Sequence, residues 1–267
     1  MPKSNNRGLQ LAIRLLCALS LAGLVAACIW HEPTRTLGQY LMTKLHGGYT
    51  VSERVAQFGE RVQQALAADF QRLGLSYPAA NVALVAFKDT QTLELYVRGQ
   101  PQQPWQLLTT YPIMKASGQL GPKLREGDLQ VPEGIYQSES LNPNSRYHLA
   151  IRVNYPNQFD QAIAAQEGRT NLGGDIMVHG SNASVGCLAM GNDVAERLFV
   201  LAALSQTPVA IIISPTDFRQ KSLASWQQEA APWLPANTGS AIPAWRTELY
   251  QQLELALKDY PPANSTL

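Results

Sequence analysis

The fold is decided by the stretch Asp175-Ile-Met-Val-His179-Gly180-Ser-Asn-Ala-Ser184-Val-Gly186-Cys187-Leu-Ala-Met190-Gly191. Its apolar run at 176–178 follows a pair of glycines, which predicts a buried strand that ends at His179. A loop rich in Ser, Asn, Ala and Gly then brings the chain back to Cys187, eight positions later. The sequence therefore predicts a thiol and an imidazole on the two sides of one tight loop.

The residues after this loop predict a helix. Asp193-Val-Ala-Glu196 has a pattern like a capping box, in which the first and fourth residues each hydrogen-bond the other's backbone. We expect this box to open an apolar helix over 197–204.

A thiol paired with an imidazole is typical of a cysteine nucleophile. A free thiol has a pKa near ~8.5 and is largely protonated at neutral pH, and an adjacent histidine can accept its proton. Backbone N–H groups near Gly186 and Cys187 are candidate donors to a developing oxyanion. Local spacing alone leaves a second interpretation open, because a cysteine is often a small buried hydrophobe and a histidine is often a satisfied core residue.

The composition bounds the size and the partners of the protein. Its 267 residues suffice for one sizeable catalytic domain and an anchor, and 45% hydrophobic residues is ordinary for a globular protein. The formal net charge is +1 with 15% charged residues, so there is neither a basic stripe nor an acidic tail. Nothing in this charge pattern indicates nucleic acid as a partner.

Residues 1–30 have the pattern of an export signal, with a basic leader before a short apolar run and small residues. Val25-Ala26-Ala27-Cys28 resembles a bacterial lipobox, which would make Cys28 the lipidated first residue of the mature protein. Two other interpretations stay open: an uncleaved membrane anchor with its basic residues inside, and ordinary cleavage near Ala27. The basic residues are Lys3, Arg7 and Arg14.

The cysteine count favours a reactive thiol. Cys17 and Cys28 belong to the signal region, so Cys187 is the single thiol of the exported part. A solitary cysteine in an oxidising compartment has no intramolecular disulfide partner. The four histidines, at positions 31, 46, 148 and 179, offer no zinc-ligand spacing with it, and we expect no metal or cofactor.

The rest of the chain predicts a mainly β fold with flanking helices. Residues 31–50 are interpreted as a linker, either a tether or a short, weakly packed helix. Apolar residues at steps of three and four predict an amphipathic helix over 51–73, with Ser52 as its N-cap and Gly74 at its C-terminal cap. Short β-rich runs indicate an antiparallel sheet folded on itself. These runs are 82–87, 93–98, 105–111 and 149–153, with a buried closing strand at 209–214.

Two segments predict no regular element. Residues 116–136 are dense in Gly and Pro and predict a structured loop and turn, and residues 159–173 predict a surface excursion. Helices are predicted over 222–230 and 245–260, wrapping the β core as an appendage, and residues 261–267 predict a frayed tail.

Several separate motifs match one family pattern. The central ones are Ile176-Met-Val-His179-Gly180 and Ser184-x-Gly186-Cys187, and the others are Gly121-Pro122-Lys123 with Gly127-Asp128, Pro132-Glu133-Gly134-Ile-Tyr136 and Asn154-Tyr155-Pro156-Asn157. With these residues the chain, from about 82 to 218, resembles the L,D-transpeptidase (YkuD domain) family of bacterial cell-wall enzymes. Within that family it is similar to the YafK-like branch.

The resemblance implies a β-sandwich catalytic domain with short helices over 51–218 and a C-terminal helical appendage over 219–267. It implies that Cys187 is the nucleophile and His179 its base. The remaining implied site residues are Gly186, which shares the oxyanion site with the N–H of Cys187; Ser184, which braces the loop; Gly180, whose carbonyl orients the imidazole; and the substrate-binding candidates Lys123, His148 and Arg152.

The resemblance also implies a periplasmic enzyme whose partners are peptidoglycan stem peptides. The thiolate attacks a diaminopimelate-type carbonyl and forms a thioester, which an amine or water then resolves. For the YafK-like branch the implied outcome is hydrolysis of a peptidoglycan–lipoprotein link, with transpeptidation as the alternative. Many family members have a second histidine where Val185 stands, and a longer loop between the histidine and the cysteine, which puts the usual acceptor chemistry in doubt.

Other classes of protein fit less well. A non-catalytic envelope scaffold that binds peptidoglycan would be expected to have lost Cys187 or His179, and both are present. A serine hydrolase of the nucleophile-elbow type has the pattern Gly-x-Ser-x-Gly. Around Ser184 the first glycine of this pattern is replaced by Asn182. A zinc hydrolase lacks its ligands.

Overall fold

A computed structural model of the protein describes residues 32–230 and 243–263. The expected export signal at 1–30 and the tail residues 264–267 lie outside these residues. The helices are α1 (Glu32–His46), α2 (Val51–Leu73), α3 (Gln158–Gln166), α4 (Asn192–Leu204), α5 (Leu223–Ala230) and α6 (Ala244–Leu257). The strands are β1 (Asn81–Phe87), β2 (Thr92–Arg98), β3 (Gln106–Pro112), β4 (Lys115–Ala116), β5 (Gly134–Ser145), β6 (His148–Val153), β7 (Met177–His179), β8 (Leu188–Ala189) and β9 (Ala210–Ser214).

The nine described strands form one curled sheet in the order β3-β2-β1-β9-β5-β6-β7-β8-β4. Most neighbours are antiparallel, and this confirms the expected mainly β fold with flanking helices. Strand β5 joins the half of the sheet formed by β3, β2, β1 and β9 to the half formed by β6, β7, β8 and β4. Its first residues pair with β9, and its later residues pair with β6 across two register shifts. Such irregularities increase the local twist, which lets the sheet curl.

Strand β9 is not at an end of the sheet, as a closing strand would be. It lies in the centre, parallel to β1 and antiparallel to β5. Four of its five residues are buried, which agrees with the expectation that it is covered on both faces. The apolar pattern predicts burial but carries no information about which neighbours a strand selects.

Helix α2 follows the predicted apolar stripe, since Phe58, Val62 and Leu66 are buried in the main core. Its N-cap, however, is Thr50 and not Ser52. The Thr50 hydroxyl accepts from the backbone N–H of Glu53 at 3.2 Å, and the Glu53 carboxylate accepts from the N–H of Thr50 at 2.6 Å. This reciprocal pair satisfies two helix-end donors.

Helix α4 begins earlier than predicted, at Asn192, and the predicted capping box does not form. Its N-cap is Gly191, with no side-chain cap, and Glu196 is instead buried between two other elements. The Glu196 carboxylate contacts His148 at 2.8 Å and also pairs with Arg61. The Glu196 carboxylate, which the local pattern predicted as a helix cap, is therefore engaged by His148 and Arg61 from other elements.

Three segments are more ordered than the sequence indicated. The linker region contains α1, whose Thr43 is buried and accepts a hydrogen bond from Arg54 at 2.9 Å. The predicted surface excursion contains α3, capped by Asn157 in a capping box with Asp160. The twelve-residue strand β5 begins at Gly134, inside the segment predicted as a loop and turn, and continues to Ser145.

Helices cover the sheet from both sides. Helices α2 and α4 pack on the face that includes Leu149 and Ile151, and the C-terminal helices pack on the opposite face of β1 and β9. In this second layer Tyr250 of α6 donates a hydrogen bond at 2.9 Å to Glu133, which is fully buried. Within residues 32–230 and 243–263, no helix combines the length and apolarity needed to cross a bilayer.

Candidate active site

The register of three strands brings the thiol and the imidazole to one face of the sheet. In the parallel pair of β7 and β8, Val178 lies beside Leu188 and His179 lies beside Ala189. Side chains alternate along a strand, so Val178 and Leu188 enter the core while His179 points to the other face. Cys187 directly precedes Leu188, so by the same alternation it lies on the His179 face, diagonally across from the imidazole.

The imidazole of His179 is held in one orientation. Its Nδ1 lies 2.5 Å from the carbonyl oxygen of Gly180, and the ring stacks on Tyr147 with centroids 4.7 Å apart. A carbonyl oxygen only accepts, so Nδ1 carries the proton and Nε2 presents a lone pair. Nε2 is buried and has no hydrogen-bond partner among the described residues. This is the state that a general base requires.

The pKa values indicate a neutral resting pair. Burial lowers the pKa of His179, against the opposing effect of its hydrogen bond to Gly180. Burial raises the pKa of the Cys187 thiol, and the Asp175 carboxylate raises it further, while a hydrogen bond from the Met177 backbone and the charge of Lys123 lower it. The thiol donates to the carbonyl of Asp175 at 3.6 Å. Both shifts favour the neutral thiol and the neutral imidazole at rest, so we expect the thiolate to form by proton transfer to His179.

Two serines hold the loop that carries Cys187. The Ser184 hydroxyl donates to the carbonyl of Cys187 at 2.6 Å and accepts from the N–H of Ser117 at 3.1 Å. The Ser117 hydroxyl donates to the carbonyl of Leu129 at 2.8 Å and accepts from the N–H of Gly186 at 2.6 Å. Ser184 thus lies where a bracing residue should, and Ser117 is a positioning residue that the sequence analysis missed.

The bond to Ser117 changes the expected oxyanion site. Because the Gly186 N–H already donates to Ser117, the N–H of Cys187 remains as the candidate oxyanion donor of the pair. Gly186 is nevertheless required as a glycine, because its φ is +92° and a Cβ there would lie 3.1 Å from the carbonyl oxygen of Gln130.

Gly180 is packed too closely to carry a side chain. A Cβ at this position would lie 2.6 Å from the Asn192 side-chain oxygen and 2.8 Å from the Tyr147 carbonyl. Asn192 uses the same oxygen to accept from the N–H of Ser181 at 2.8 Å. The start of α4 therefore fixes the carbonyl that orients His179.

The three candidate substrate-binding residues have different surroundings. His148 is buried and contacts Glu196, on the side of the sheet that faces α2, so the structure argues against a substrate-binding role. Lys123 is also buried, and donates to Asp128 at 2.6 Å inside its own loop. Its charge acts on the thiol, but its donors are engaged.

Arg152 alone of the three lies open at the site. Its position pairs with Met177, two residues before His179, and its side chain is about one-third exposed, at 36%. It forms ion pairs with Glu139 and with Asp175, whose backbone carbonyl accepts a hydrogen bond from the Cys187 thiol. Arg152 therefore remains a candidate for contact with substrate.

We expect Ser117→Ala to lower both stability and turnover. The change leaves the buried Gly186 N–H without its acceptor, which costs about 1–3 kcal/mol of unfolding free energy, and the loosened loop displaces the nucleophile, which lowers kcat roughly tenfold or more. Urea unfolding and steady-state kinetics measure the two effects.

Ser205→Ala is a matched control for that variant. The Ser205 hydroxyl donates to the carbonyls of Ala80 and Thr207, away from the loop that carries Cys187. We expect this control to change stability slightly and to leave kcat unchanged. An unchanged kcat in Ser117→Ala would contradict the positioning role.

No three His, Cys, Asp or Glu side chains within residues 32–230 and 243–263 are grouped as metal ligands would be. The candidate site described above consists of the thiol, the imidazole and the surrounding backbone. A curled, mainly antiparallel sheet that presents this pair at one face, with helices on both sides, defines the class as that of YkuD-fold proteins.

Residues 81–211 match the sequence profile of YkuD, the L,D-transpeptidase catalytic domain, and this part of the chain belongs to that family. The L,D-transpeptidase homologue YafK of Escherichia coli strain K12 is 42% identical over 140 residues, which are 50% of this chain and 54% of YafK. The chain thus spans about half the length of the curated relatives it matches.

The similarity to solved structures is weaker. Pgp2, the helical cell shape determining protein of Campylobacter jejuni, is 20% identical with a TM-score of 0.41, covering 68% of this chain and 70% of its own. Bd1075 of Bdellovibrio bacteriovorus is 21% identical with a TM-score of 0.37, covering 68% of this chain and 72% of its own.

Proposed function

We propose that this protein is a cysteine-dependent peptidoglycan enzyme that hydrolyses the link between a lipoprotein and a diaminopimelate residue of a stem peptide. The observation that carries the proposal is that Cys187 and His179 lie on the same face of two adjacent strands in a YkuD-family domain, and that the buried Nε2 of His179 has no hydrogen-bond partner among the described residues. This pair supplies a nucleophile and a base for attack on an amide carbonyl.

The reaction runs in two balanced halves. Nε2 of His179 takes the thiol proton, the sulfur bonds the substrate carbonyl carbon, and the carbon–nitrogen bond breaks as the imidazolium returns the proton to the leaving amine. Water then gives a proton to His179 and attacks the thioester, and the carbon–sulfur bond breaks to restore the thiol. The Cys187 N–H stabilises the oxyanion in both halves.

Water is favoured as the acceptor by the surroundings of Val185. This side chain is 65% exposed, directly before the Gly186–Cys187 pair, at the position where many family members have a second histidine. An amine acceptor is protonated at neutral pH and must lose two protons, one before and one after its attack, whereas water has to give only one proton to the single imidazole here. Transpeptidation therefore ranks second.

We further propose that the protein works in the periplasm with its N-terminal segment at the membrane. The apolar run at 15–30 directly precedes α1. Three leucines of α1 at steps of four are exposed, namely Leu37, Leu41 and Leu45. An apolar stripe at this spacing lies on one side of a helix, which supports contact with a lipid surface.

Mass spectrometry of reaction products tests the proposed activity. The purified protein is incubated with lipoprotein-linked peptidoglycan and, separately, with free muropeptides. We expect release of the lipoprotein remnant with a free diaminopimelate carboxylate and no new crosslink. New stem-to-stem bonds would establish the transpeptidase instead, and an unchanged substrate in both incubations would leave the scaffold interpretation.

A further inference from the structure

A large cavity adjoins the loop that carries Cys187. Its volume is about 850 Å³, within the range of ~300–1,000 Å³ that is usual for small-molecule sites. Parts of two loops, within 117–130 and 168–171, form its walls, together with Arg246 from the first turn of α6. Arg246 lies outside the family-matched residues 81–211, so the C-terminal appendage contributes to this cavity.

Arg246 is a buried cation whose Nε donor is unused among the described residues. The residue is only 5% exposed, and its Nε is buried with no hydrogen-bond partner in the described part of the chain. Its guanidinium lies 5.6 Å from the centre of the Trp245 ring, at the outer limit of a cation–π contact. Burying an unpaired charge is costly, which indicates that an anion completes the site.

The other charges of the cavity are also mainly positive. Arg125 is exposed on its wall, and Arg169 lies on the opposite loop, where it is partly engaged by Glu167. The one acidic side chain of the wall, Asp128, is paired with Lys123 and accepts from three backbone N–H groups. The cavity therefore keeps an excess of positive charge.

One wall of the cavity is shared with the candidate active site. Ser117, which accepts from the Gly186 N–H, and Gln130, whose carbonyl packs against Gly186, both line the cavity. The cavity therefore adjoins the loop that carries Cys187.

We propose that the cavity binds a carboxylate of the peptide substrate through Arg246. The inference rests on the proposed function and adds a specificity residue to it. The carboxylate has two possible sources in such a substrate: the diaminopimelate residue itself, or the lysine through which the lipoprotein is attached. A planar guanidinium suits either, because it pairs with a carboxylate through two parallel hydrogen bonds.

Synthetic conjugates test the proposal and distinguish the two sources. The ligand is a stem peptide joined through diaminopimelate to a lysine, prepared with both carboxylates free, with either one amidated, and with both amidated. Binding to the full chain carrying Cys187→Ala is measured by isothermal titration. We expect amidation of one of the two carboxylates to raise Kd about 30-fold, and Arg246→Gln to abolish that difference.

Two further variants keep the test decisive. Arg246→Lys retains the charge and should retain part of the preference for the free acid. Arg98→Gln is the matched control, because Arg98 also has a buried Nε with no partner among the described residues but lies 4.1 Å above Trp105, outside the cavity. We expect this control to leave every Kd unchanged.

Two results would overturn the proposal: equal binding of the free and the doubly amidated conjugates, or an acid preference that survives in folded Arg246→Gln protein. Thermal unfolding of each variant shows whether it is folded. Failure of the proposed function is recognised separately, because wild-type protein would then release no lysine from any conjugate. Cleavage of the doubly amidated conjugate at an unchanged KM would contradict only the carboxylate site.

Discussion

Cys187→Ala is expected to abolish turnover, with kcat falling by more than about 10³-fold. The physical reason is that no other thiol is present after the predicted signal region. Without Cys187 the thioester cannot form, and no second thiol can act as the nucleophile in its place. Release of the lipoprotein remnant measures the loss of turnover, and intact-protein mass spectrometry of rapidly quenched wild-type enzyme should show the thioester adduct that the variant lacks.

The same variant should remain folded. The Cys187 side chain is only partly buried, and its sulfur makes only weak hydrogen bonds, to the Asp175 carbonyl at 3.6 Å and from the Met177 backbone. We therefore expect a change in unfolding free energy of less than about 1 kcal/mol, as for most substitutions away from fully buried groups. Cys187→Ser, which keeps the size of the side chain, is the matched control for loop structure. More than a tenth of wild-type activity in Cys187→Ala would contradict the covalent mechanism.

His179→Ala is expected to lower kcat/KM by about 10²–10⁴-fold, the usual contribution of a positioned general base. The buried Nε2 lone pair is lost, and the thiol, whose pKa is raised by burial, then has no nearby acceptor for its proton. The rate of alkylation of Cys187 by iodoacetamide, followed across pH, reports this change without requiring the natural substrate.

The sign of the pH dependence follows from the two pKa shifts. The pKa of His179 is lowered, so its base form persists below the ordinary value near ~6.5, and kcat/KM should fall only at lower pH as the imidazole is protonated. The pKa of Cys187 is raised, so the free thiolate appears only at strongly alkaline pH. His179→Ala should remove the acidic limb and leave alkylation that rises only in the alkaline range.

His148 provides the matched control for this experiment. It is a buried histidine on the adjacent strand, but it contacts Glu196 and the ring of Phe58 at the helix-covered side of the sheet. We expect His148→Gln to reduce stability while leaving the acidic limb of the alkylation profile in place. If the acidic limb persisted in His179→Ala and vanished in His148→Gln, the base would be His148, and its assignment to His179 would be wrong.

Local patterns were sufficient wherever one segment decides its own structure. The apolar run before His179 is the strand β7, the stripe from 51 to 73 is the helix α2, and Gly74 ends it in a left-handed conformation. These features depend on hydrophobic period and on backbone freedom, both of which are written in a few consecutive residues. The same is true of the turn that returns Cys187 toward His179.

Patterns failed where a side chain had a choice of partners. Thr50, rather than Ser52, caps α2, and Glu196 pairs with His148 instead of capping α4. The residues in each pair were present in the sequence, but the free energies of the alternatives differ by little in isolation. Long-range packing selects between them.

The sequence by itself determined which residues we propose as the catalytic pair, namely the one thiol after the predicted signal region and the histidine at the end of a buried strand. Three features were decided only by the tertiary structure. They are the position of β9 inside the sheet, the hydrogen bond between Ser117 and Gly186 across 69 positions, and the burial of Arg246. The reason is physical: a hydrogen-bond donor or a charge finds its partner, or remains without one, only after distant segments of the chain have closed around it.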